Sequence, residues 1–525
     1  MRRIRTRDAF CWGVLASMLT AGAVAGFAKT IPVDDRTVTH VLNRIAFGPR
    51  PGDIERVKAI GIERYIDEQL RPERIPDGGM NARLAALQTI GMSSRELAEK
   101  FERPAIEARK EKKASGDAPT PDEKAMQQKA NSVVVELSEQ KMLRAIYSER
   151  QLQEVLTDFW FNHFNVDARK GADRFMLTEY EREAIRPHVL GKFRDLLEAT
   201  AKSPAMLFYL DNWMSADPNG PHAEMRPPRV VRGPFGRPIV MAQPPRMPAQ
   251  GKNAPKGLNE NYGRELMELH TLGVDGGYAQ RDVTEVARAF TGWTIQNPRQ
   301  GGGFKFEPRL HDMGQKVVLG HVIKAGGGEH DGEEVLDILA KHPSTAHFIA
   351  TKLVRRFVSD TPPPALVDRA ADRFRATDGD LREVMRTVLT SPEFLAPEAF
   401  RAKVKTPFEF VVSSVRALGA EVTDAVPLVR ATQQMGMPLY QCQPPTGYKD
   451  TADAWVNTGA LVGRMNFAVQ ITGGKLPGVV PTTLDWVNET AAADFSDATR
   501  STIAKATTPP QIAALTLGAP EFQRR

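Results

Sequence analysis

The chain has 525 residues, 41% of them hydrophobic and 26% charged, which is the composition of a globular protein with a substantial core. Such a composition excludes a chain that is disordered throughout. The formal net charge is +6, but lysine and arginine form no dense stripe interleaved with aromatic residues, so nucleic-acid binding is not expected.

Residues 1–28 have the pattern of a signal peptide. A basic start is followed by an apolar run from Ala9 to Ala28 that ends in small residues. We expect a mature chain that begins near Lys29 and is exported to the periplasm or the cell exterior; an uncleaved N-terminal anchor is the alternative. No later apolar run reaches the about 20 residues that a membrane helix requires, so no membrane span is expected in the mature chain.

Removal of this segment changes the charge and the cysteine content. Four arginines and one aspartate leave with it, which lowers the net charge from +6 to +3. Cys11 leaves as well, and Cys442 then stands alone, so an intrachain disulfide is excluded and stability has to come from the core. A single thiol without a haem-attachment motif nearby gives a redox role little support.

Most of the mature chain, 29–525, shows apolar residues at spacings of three and four, as in Val38, Leu42 and Ile45. This periodicity predicts a mainly α-helical protein, which we expect to form one large multi-helical domain. Helix starts are also marked, for example by Asp380 with a glutamate three residues later.

Two segments break the helical pattern. Residues 103–132 are charged and poor in apolar residues, which predicts a charged linker or a solvated helix. Residues 217–257 are basic and rich in proline, which disfavours regular helix and predicts a mobile insertion. The insertion is either plainly disordered or an extended segment that binds a partner.

A helix that ends near Asn165 places a histidine on its buried side. On that helix one face carries Leu152, Leu156, Phe159 and His163, with Asn162 at its margin. A histidine in this position is either a hydrogen-bonded core residue or a ligand or base, and the sequence leaves both alternatives open.

A second helix is predicted between Asn259, a suitable N-cap, and Gly273, a suitable C-terminal stop. Its apolar stripe is interrupted by Glu265, with Asn259 and His270 on the other edge of the stripe. A carboxylate there is costly unless it is paired, hydrogen-bonded or bound to a metal. We therefore expect Glu265 and His163 to share a buried polar cluster, although the spacing alone does not show that they meet.

The next predicted helix runs from Tyr278 to Trp293, with Asp282 as a capping residue. Trp293 either lines a pocket or plugs the core. Beyond it, residues 303–306 and 316–319 have strand character and flank a loop, which predicts a small β-hairpin. The loop carries His311 and Asp312, which are either a ligand or acid–base pair or simple turn residues.

Several segments, in this order, resemble the bacterial family catalogued as domain of unknown function 1800. The matching segments are Val41-Leu42-Asn43-Arg44-Ile45-Ala46-Phe47-Gly48, Trp160-x-Asn162-His163-Phe164, Asn259-Glu260-Asn261 with Arg264-Glu265-Leu266-x-Glu268-Leu269-His270-Thr271-Leu272-Gly273, Ala287-Arg288-Ala289-Phe290-Thr291-Gly292-Trp293, His311-Asp312 and Pro444-Pro445-x-Gly447. The chain departs from the family pattern at Leu258, where proline is usual, and at Tyr448, where tryptophan is usual.

The resemblance implies an exported, mainly helical bacterial protein that is often encoded beside another exported protein of unknown function. It implies no established activity. The partner that it suggests is therefore that neighbouring exported protein.

Our leading hypothesis from the sequence is a metal-assisted hydrolase that acts in the cell envelope. A divalent metal, the one cofactor predicted, would be bound by His163, Glu265, His311 and Asp312, and would activate a water molecule. Glu265, His163 and His270 are the predicted catalytic residues. The predicted substrate contacts are Asn162, Asn259, Asn261, Arg264 and Trp293. The alternative is a non-catalytic periplasmic or surface partner or assembly protein, in which the same residues form a structural network.

Overall fold

A computed structural model describes residues 33–108, 121–220, 229–232, 238–241, 257–484 and 495–525. The predicted signal peptide lies outside these ranges. Val33–Arg525 forms one compact unit, and helices dominate it, which confirms the prediction of a large mainly α-helical domain. Among the described residues, no helix has the length and apolar character needed to cross a membrane.

The helices fall before and after the proline-rich region. The first set is α1 (Asp35–Ile45), α2 (Asp53–Ile60), α3 (Ile62–Gln69), α4 (Gly79–Leu84), α5 (Ser94–Leu97), α6 (Pro121–Tyr147), α7 (Gln151–His163), α8 (Leu177–Glu179), α9 (Phe193–Ala201) and α10 (Pro204–Tyr209). The second set is α11 (Glu260–Glu268), α12 (Gln280–Ala289), α13 (Glu329–Lys341), α14 (Pro343–Phe357), α15 (Pro364–Ala376), α16 (Leu381–Leu389), α17 (Pro407–Ala417), α18 (Val426–Gln434), α19 (Thr458–Thr472), α20 (Asp497–Ile503) and α21 (Pro509–Gly518).

Local sequence accounts for many helix starts. The Asp380 carboxylate accepts from the Glu383 backbone N–H and begins α16, as predicted. Thr406 and Glu409 form a capping box at the start of α17. Burial of the apolar faces then holds the helices together, and the predicted face of α1 is fully buried at Val38, Leu42 and Ile45.

The described strands form four two-stranded antiparallel sheets. Their bounds are β1 (Arg229–Arg232) with β2 (Pro238–Met241), β3 (Trp293–Ile295) with β4 (Phe304–Phe306), β5 (Lys316–Val318) with β6 (His321–Ile323), and β7 (Glu421–Val422) with β8 (Val479–Val480). The two strands predicted to form one hairpin therefore both exist but do not pair with each other. Each pairs with a nearer segment, since short connections fix antiparallel pairs most readily.

The two segments that break the helical pattern are only partly described. Of residues 103–132, residues 103–108 are helical, and 121–132 form the mostly exposed beginning of α6. Of residues 217–257, the description covers 217–220, β1, β2 and Gly257. The remainder of both predicted segments lies outside the described residues.

Candidate functional site

A cleft of about 300 Å³ lies where α7, α14 and the loop 437–451 meet. We call it the Lys352 cleft, and the loop the cleft loop. His163, the last residue of α7, and Asn162 line one wall. Lys352, on α14, lines another, so residues far apart in sequence converge here.

Hydrogen bonds fix the tautomer of His163. Its Nε2 lies 3.1 Å from the carbonyl oxygen of His270, which only accepts, so Nε2 carries the ring proton. The other nitrogen, Nδ1, is then the acceptor of a hydrogen bond from Lys352 Nζ at 2.8 Å. Burial, with the positive charge of Lys352 as a second cause, holds the pKa of His163 well below its ordinary value. His163 is therefore a neutral side chain that orients Lys352.

Lys352 is the most chemically distinctive group in the cleft. Burial lowers its pKa to about 8; Asp450 acts in the opposite direction, and Arg355 lowers the pKa further. The side chain as a whole is half-buried and lines the cleft. An amine with a pKa near the working pH of a cell can both donate and accept a proton, as acid–base catalysis requires.

Two asparagines hold the cleft loop against α7. The Asn162 amide donates to the Tyr448 carbonyl oxygen at 2.8 Å, and its own oxygen accepts from the Tyr448 N–H at 2.7 Å. Asn165 donates to the carbonyl oxygens of Cys442 and Pro444, both at 2.9 Å. The predicted substrate contact Asn162 thus has its amide group engaged in positioning the loop.

Glu265 lies at a different place, an open depression lined also by Asn261, Tyr209 and Lys170. Its side chain is half-buried, and burial, followed by the nearby Glu268, raises its pKa. The buried stripe of α11 runs through Tyr262, Leu266 and Met267, so Glu265 stands at the edge of that stripe rather than inside it. The expectation that Glu265 and His163 share a buried cluster is therefore wrong.

The other predicted residues of this helix have structural or surface contacts. Asn259 caps α11 by accepting from the Tyr262 N–H at 3.1 Å, as predicted. Its amide also donates to the Leu210 carbonyl oxygen, and Arg264 donates to the Gln280 side chain at 2.7 Å. The helix ends at Glu268, five residues before Gly273.

His270 and Trp293 are buried core residues. Burial lowers the pKa of His270 to about 3, so its ring is neutral, and its ring centroid lies 6.3 Å from that of His163. The indole of Trp293 is fully buried, with its ring centroid 4.8 Å from Phe290 and 5.1 Å from Phe304. Trp293 therefore fills the core rather than lining a pocket.

His311 and Asp312 belong to a third location. His311 is fully buried, with Nδ1 2.8 Å from the Thr291 carbonyl oxygen and Nε2 3.1 Å from the Asp331 carboxylate. Lys316 contacts the same carboxylate at 2.5 Å. Asp312 forms an ion pair with Arg288, 2.7 Å between Nε and Oδ2. Both residues therefore stabilise the turn between β4 and β5.

The residues predicted to bind a divalent metal do not fit one ion. His163 has both ring nitrogens engaged, Glu265 faces another depression, and His311 is hydrogen-bonded to Asp331. Across the described ranges, no group of three or more His, Cys, Asp or Glu side chains could hold a metal. We therefore derive no chemical step through a metal.

Sequence reasoning missed Lys352 because a lysine between apolar helix positions resembles an ordinary surface cation. A usable signal was nevertheless present. Helix α14 contains Lys352, Arg355 and Arg356 within five residues and no acidic residue, so no carboxylate within the helix can pair with these cations. The cations of such a helix are expected to pair with carboxylates of other elements or with a ligand.

Comparison with known proteins places the chain in a family. No curated protein and no solved structure matches it. A family model described as "Protein of unknown function (DUF1800)" matches residues 40–524, nearly the whole chain and including every wall of the Lys352 cleft. The chain therefore belongs to the DUF1800 family, as the motifs in its sequence indicated.

Proposed function

We propose that the protein is an exported enzyme of the cell envelope whose Lys352 amine transfers a proton to or from a substrate. The observation that carries this proposal is the hydrogen bond from Lys352 to the neutral ring of His163, at the wall of an open cleft. Perturbed titratable groups in clefts mark functional sites more often than chance.

The arrangement gives each residue a defined task. The His270 carbonyl fixes the ring of His163, and His163 in turn fixes one N–H of Lys352. Among the described residues the amine has no other hydrogen-bond partner, so its remaining N–H groups can serve a ligand in the cleft. With a pKa of about 8, Lys352 exists in both protonation states near neutral pH. Hydrolysis of an envelope polymer or its fragments is the reaction class that we would test first.

Competitive labelling of amines with acetic anhydride over a pH series tests the acid–base assignment. Peptide mass spectrometry should give Lys352 an apparent pKa near 8. The exposed Lys341 serves as the internal reference. An ordinary lysine titration at Lys352 would remove the basis of the proposal.

Turnover is tested with extracts of the bacterial envelope. The purified protein should convert one or more compounds, detected by untargeted mass spectrometry, and Lys352→Met should convert none of them. Lys341→Met is the matched control and should retain conversion. If the wild-type protein and Lys352→Met both bind a compound that neither converts, the cleft is a ligand-binding site and not an active site.

Export rests on the signal pattern of residues 1–28 and is tested separately. When the full chain is expressed with its own leader, the envelope fraction should contain a protein whose N-terminus lies near Lys29. Recovery of the uncleaved chain in the membrane fraction would favour the N-terminal anchor.

A second function, binding of another exported protein, is favoured by the surface of α19. One face of this helix exposes Leu461, Val462, Met465 and Val469, while its one charged side chain, Arg464, is buried. Exposed apolar faces of this kind are typical of protein interfaces. Because this face lies on α19 and not in the cleft, the two functions are compatible.

The partner hypothesis predicts a loss of association when this face is charged. Val462→Glu with Val469→Glu should abolish cross-linking to one exported partner in the native envelope. Gln470→Glu, an exposed position on the same helix, should leave the cross-link intact. Equal cross-linking in both variants would rule out this face.

A further inference from the structure

We propose that the ligand of the Lys352 cleft carries a dianionic group, of the phosphate monoester type, held jointly by Lys352 and Arg355. This inference rests on the proposed function, because it assigns a substrate class to the same cleft. It follows from which of the charged side chains that line the cleft have an ion-pair partner and which do not.

The acids of the cleft are already committed to other cations. Asp158 lies 2.7 Å from Lys141. Asp450 lies 3.4 Å from Arg356 and 3.6 Å from Lys403. The two carboxylates on the lining are therefore used in ion pairs that do not include Lys352 or Arg355.

Arg356 is neutralised from behind the cleft wall. Its guanidinium lies 2.8 Å from the buried Glu409 carboxylate, in addition to its contact with Asp450. Lys449 points to Asp453 at the exposed rim, at 3.4 Å. Among the residues that the structure describes, these pairs leave two lining cations without an ion-pair partner.

Lys352 and Arg355 are those two cations. Lys352 bonds to His163, which is neutral and contributes no compensating charge. Arg355 forms no ion pair with any described residue, and its buried Nε has no hydrogen-bond partner there. The two residues are three positions apart on α14, so they occupy one helix face.

Two adjacent, partly dehydrated cations without an ion-pair partner are costly, and a dianion lowers that cost. An arginine fork beside a lysine point charge suits the oxygens of a phosphoryl group. The rest of the lining is partly apolar, with Phe159, Met437 and Leu439. The cavity of about 300 Å³ has the size of a small-molecule site, so an organic group can accompany the anion.

Protection from labelling tests this inference on the whole protein. Inorganic phosphate should slow the acetylation of Lys352 but not that of Lys341. Nitrate, a monoanion, should need a concentration at least about tenfold higher at equal ionic strength. Arg355→Gln should raise the phosphate concentration for half-protection by about tenfold or more. Arg375→Gln, at an exposed position of α15, should leave that concentration unaltered.

The outcomes separate this inference from the proposed function. An ordinary titration of Lys352 would contradict the proposed function itself. If the pKa of Lys352 is lowered but phosphate and nitrate protect it equally, only the inference of a dianionic ligand is overturned. The same holds if Arg355→Gln leaves the protection unchanged. Protection by succinate but not by phosphate would replace the phosphoryl group with a dicarboxylate.

Discussion

At the scale of single residues, the chemistry of the cleft depends on a neutral histidine that orients a lysine. The sequence placed His163 correctly on the buried side of α7, because the apolar spacing of three and four is a local signal. It could not identify the partner of His163, since Lys352 is 189 positions away and only tertiary packing brings the two together.

Lys352 should give the stability of the protein a distinct pH dependence. Its pKa is lowered from 10.5 to about 8 in the folded protein, so the unfolded chain binds more protons between these values. The free energy of unfolding should therefore rise with pH through this window, relative to Lys352→Met. We expect a difference on the order of 1 kcal/mol, less than the full shift implies because the Lys352 side chain is only half-buried.

Urea unfolding of both proteins from pH 7.5 to pH 10.5 measures this difference. Other groups that titrate in this window contribute equally to the two curves. Lys341→Met should follow the wild type throughout. Parallel curves for Lys352→Met and the wild type would show that Lys352 is not perturbed.

At the scale of elements, the cleft is built by docking the cleft loop onto the end of α7. The motifs Asn162-His163 and Pro444-Pro445-x-Gly447 were recognised in the sequence as separate signatures. The structure shows that they are the two halves of one contact, with Asn162 hydrogen-bonded to Tyr448. Local patterns predicted where the elements lie, but they carried no information about which element packs on which.

Gly447→Ala should disrupt this docking. Gly447 has a φ of +72°, and a Cβ there would lie 2.2 Å from the Asn162 carbonyl oxygen. Backbone strain and the clash together should lower the free energy of unfolding by about 2 kcal/mol or more. Denaturant unfolding measures the loss, and half-protection of Lys352 by phosphate should need more anion in this variant.

Gly436 provides the matched control for this substitution. It has a φ of +91° but no atom near the position of a Cβ. Gly436→Ala should therefore cost only the strain of the left-handed conformation, about 1 kcal/mol. If the free energy of unfolding falls equally in the two variants, the clash with Asn162 contributes nothing to the loss in Gly447→Ala.

At the scale of the whole molecule, a buried charge network beneath the cleft joins distant parts of the chain. Glu409, at the start of α17, forms ion pairs with Arg356 of α14 at 2.8 Å and with Arg525 at 3.0 Å. The sequence predicted helices and some of their caps, and the structure confirms those of Asp380 and Asn259. It could not predict this network, because the partners of a buried charge are set by the complete fold.

Glu409→Gln tests how strongly this network holds the fold together. Burial alone would raise the pKa of Glu409, but Arg356 and Arg525 lower it to about 2. The substitution keeps the side-chain oxygen that caps α17 and removes only the charge, which leaves two buried arginines short of a partner. We expect a loss of about 3–5 kcal/mol at neutral pH, measured by urea unfolding.

The pH dependence of this loss distinguishes a charge effect from a packing effect. A carboxylate with a depressed pKa stabilises the fold above its ordinary value of 4.5 and loses that contribution as the pH falls toward about 2. The gap between the wild type and Glu409→Gln should therefore narrow over this window. Glu398→Gln, at an exposed position, should track the wild type. A gap that stays constant with pH would assign the loss of stability to packing instead of charge.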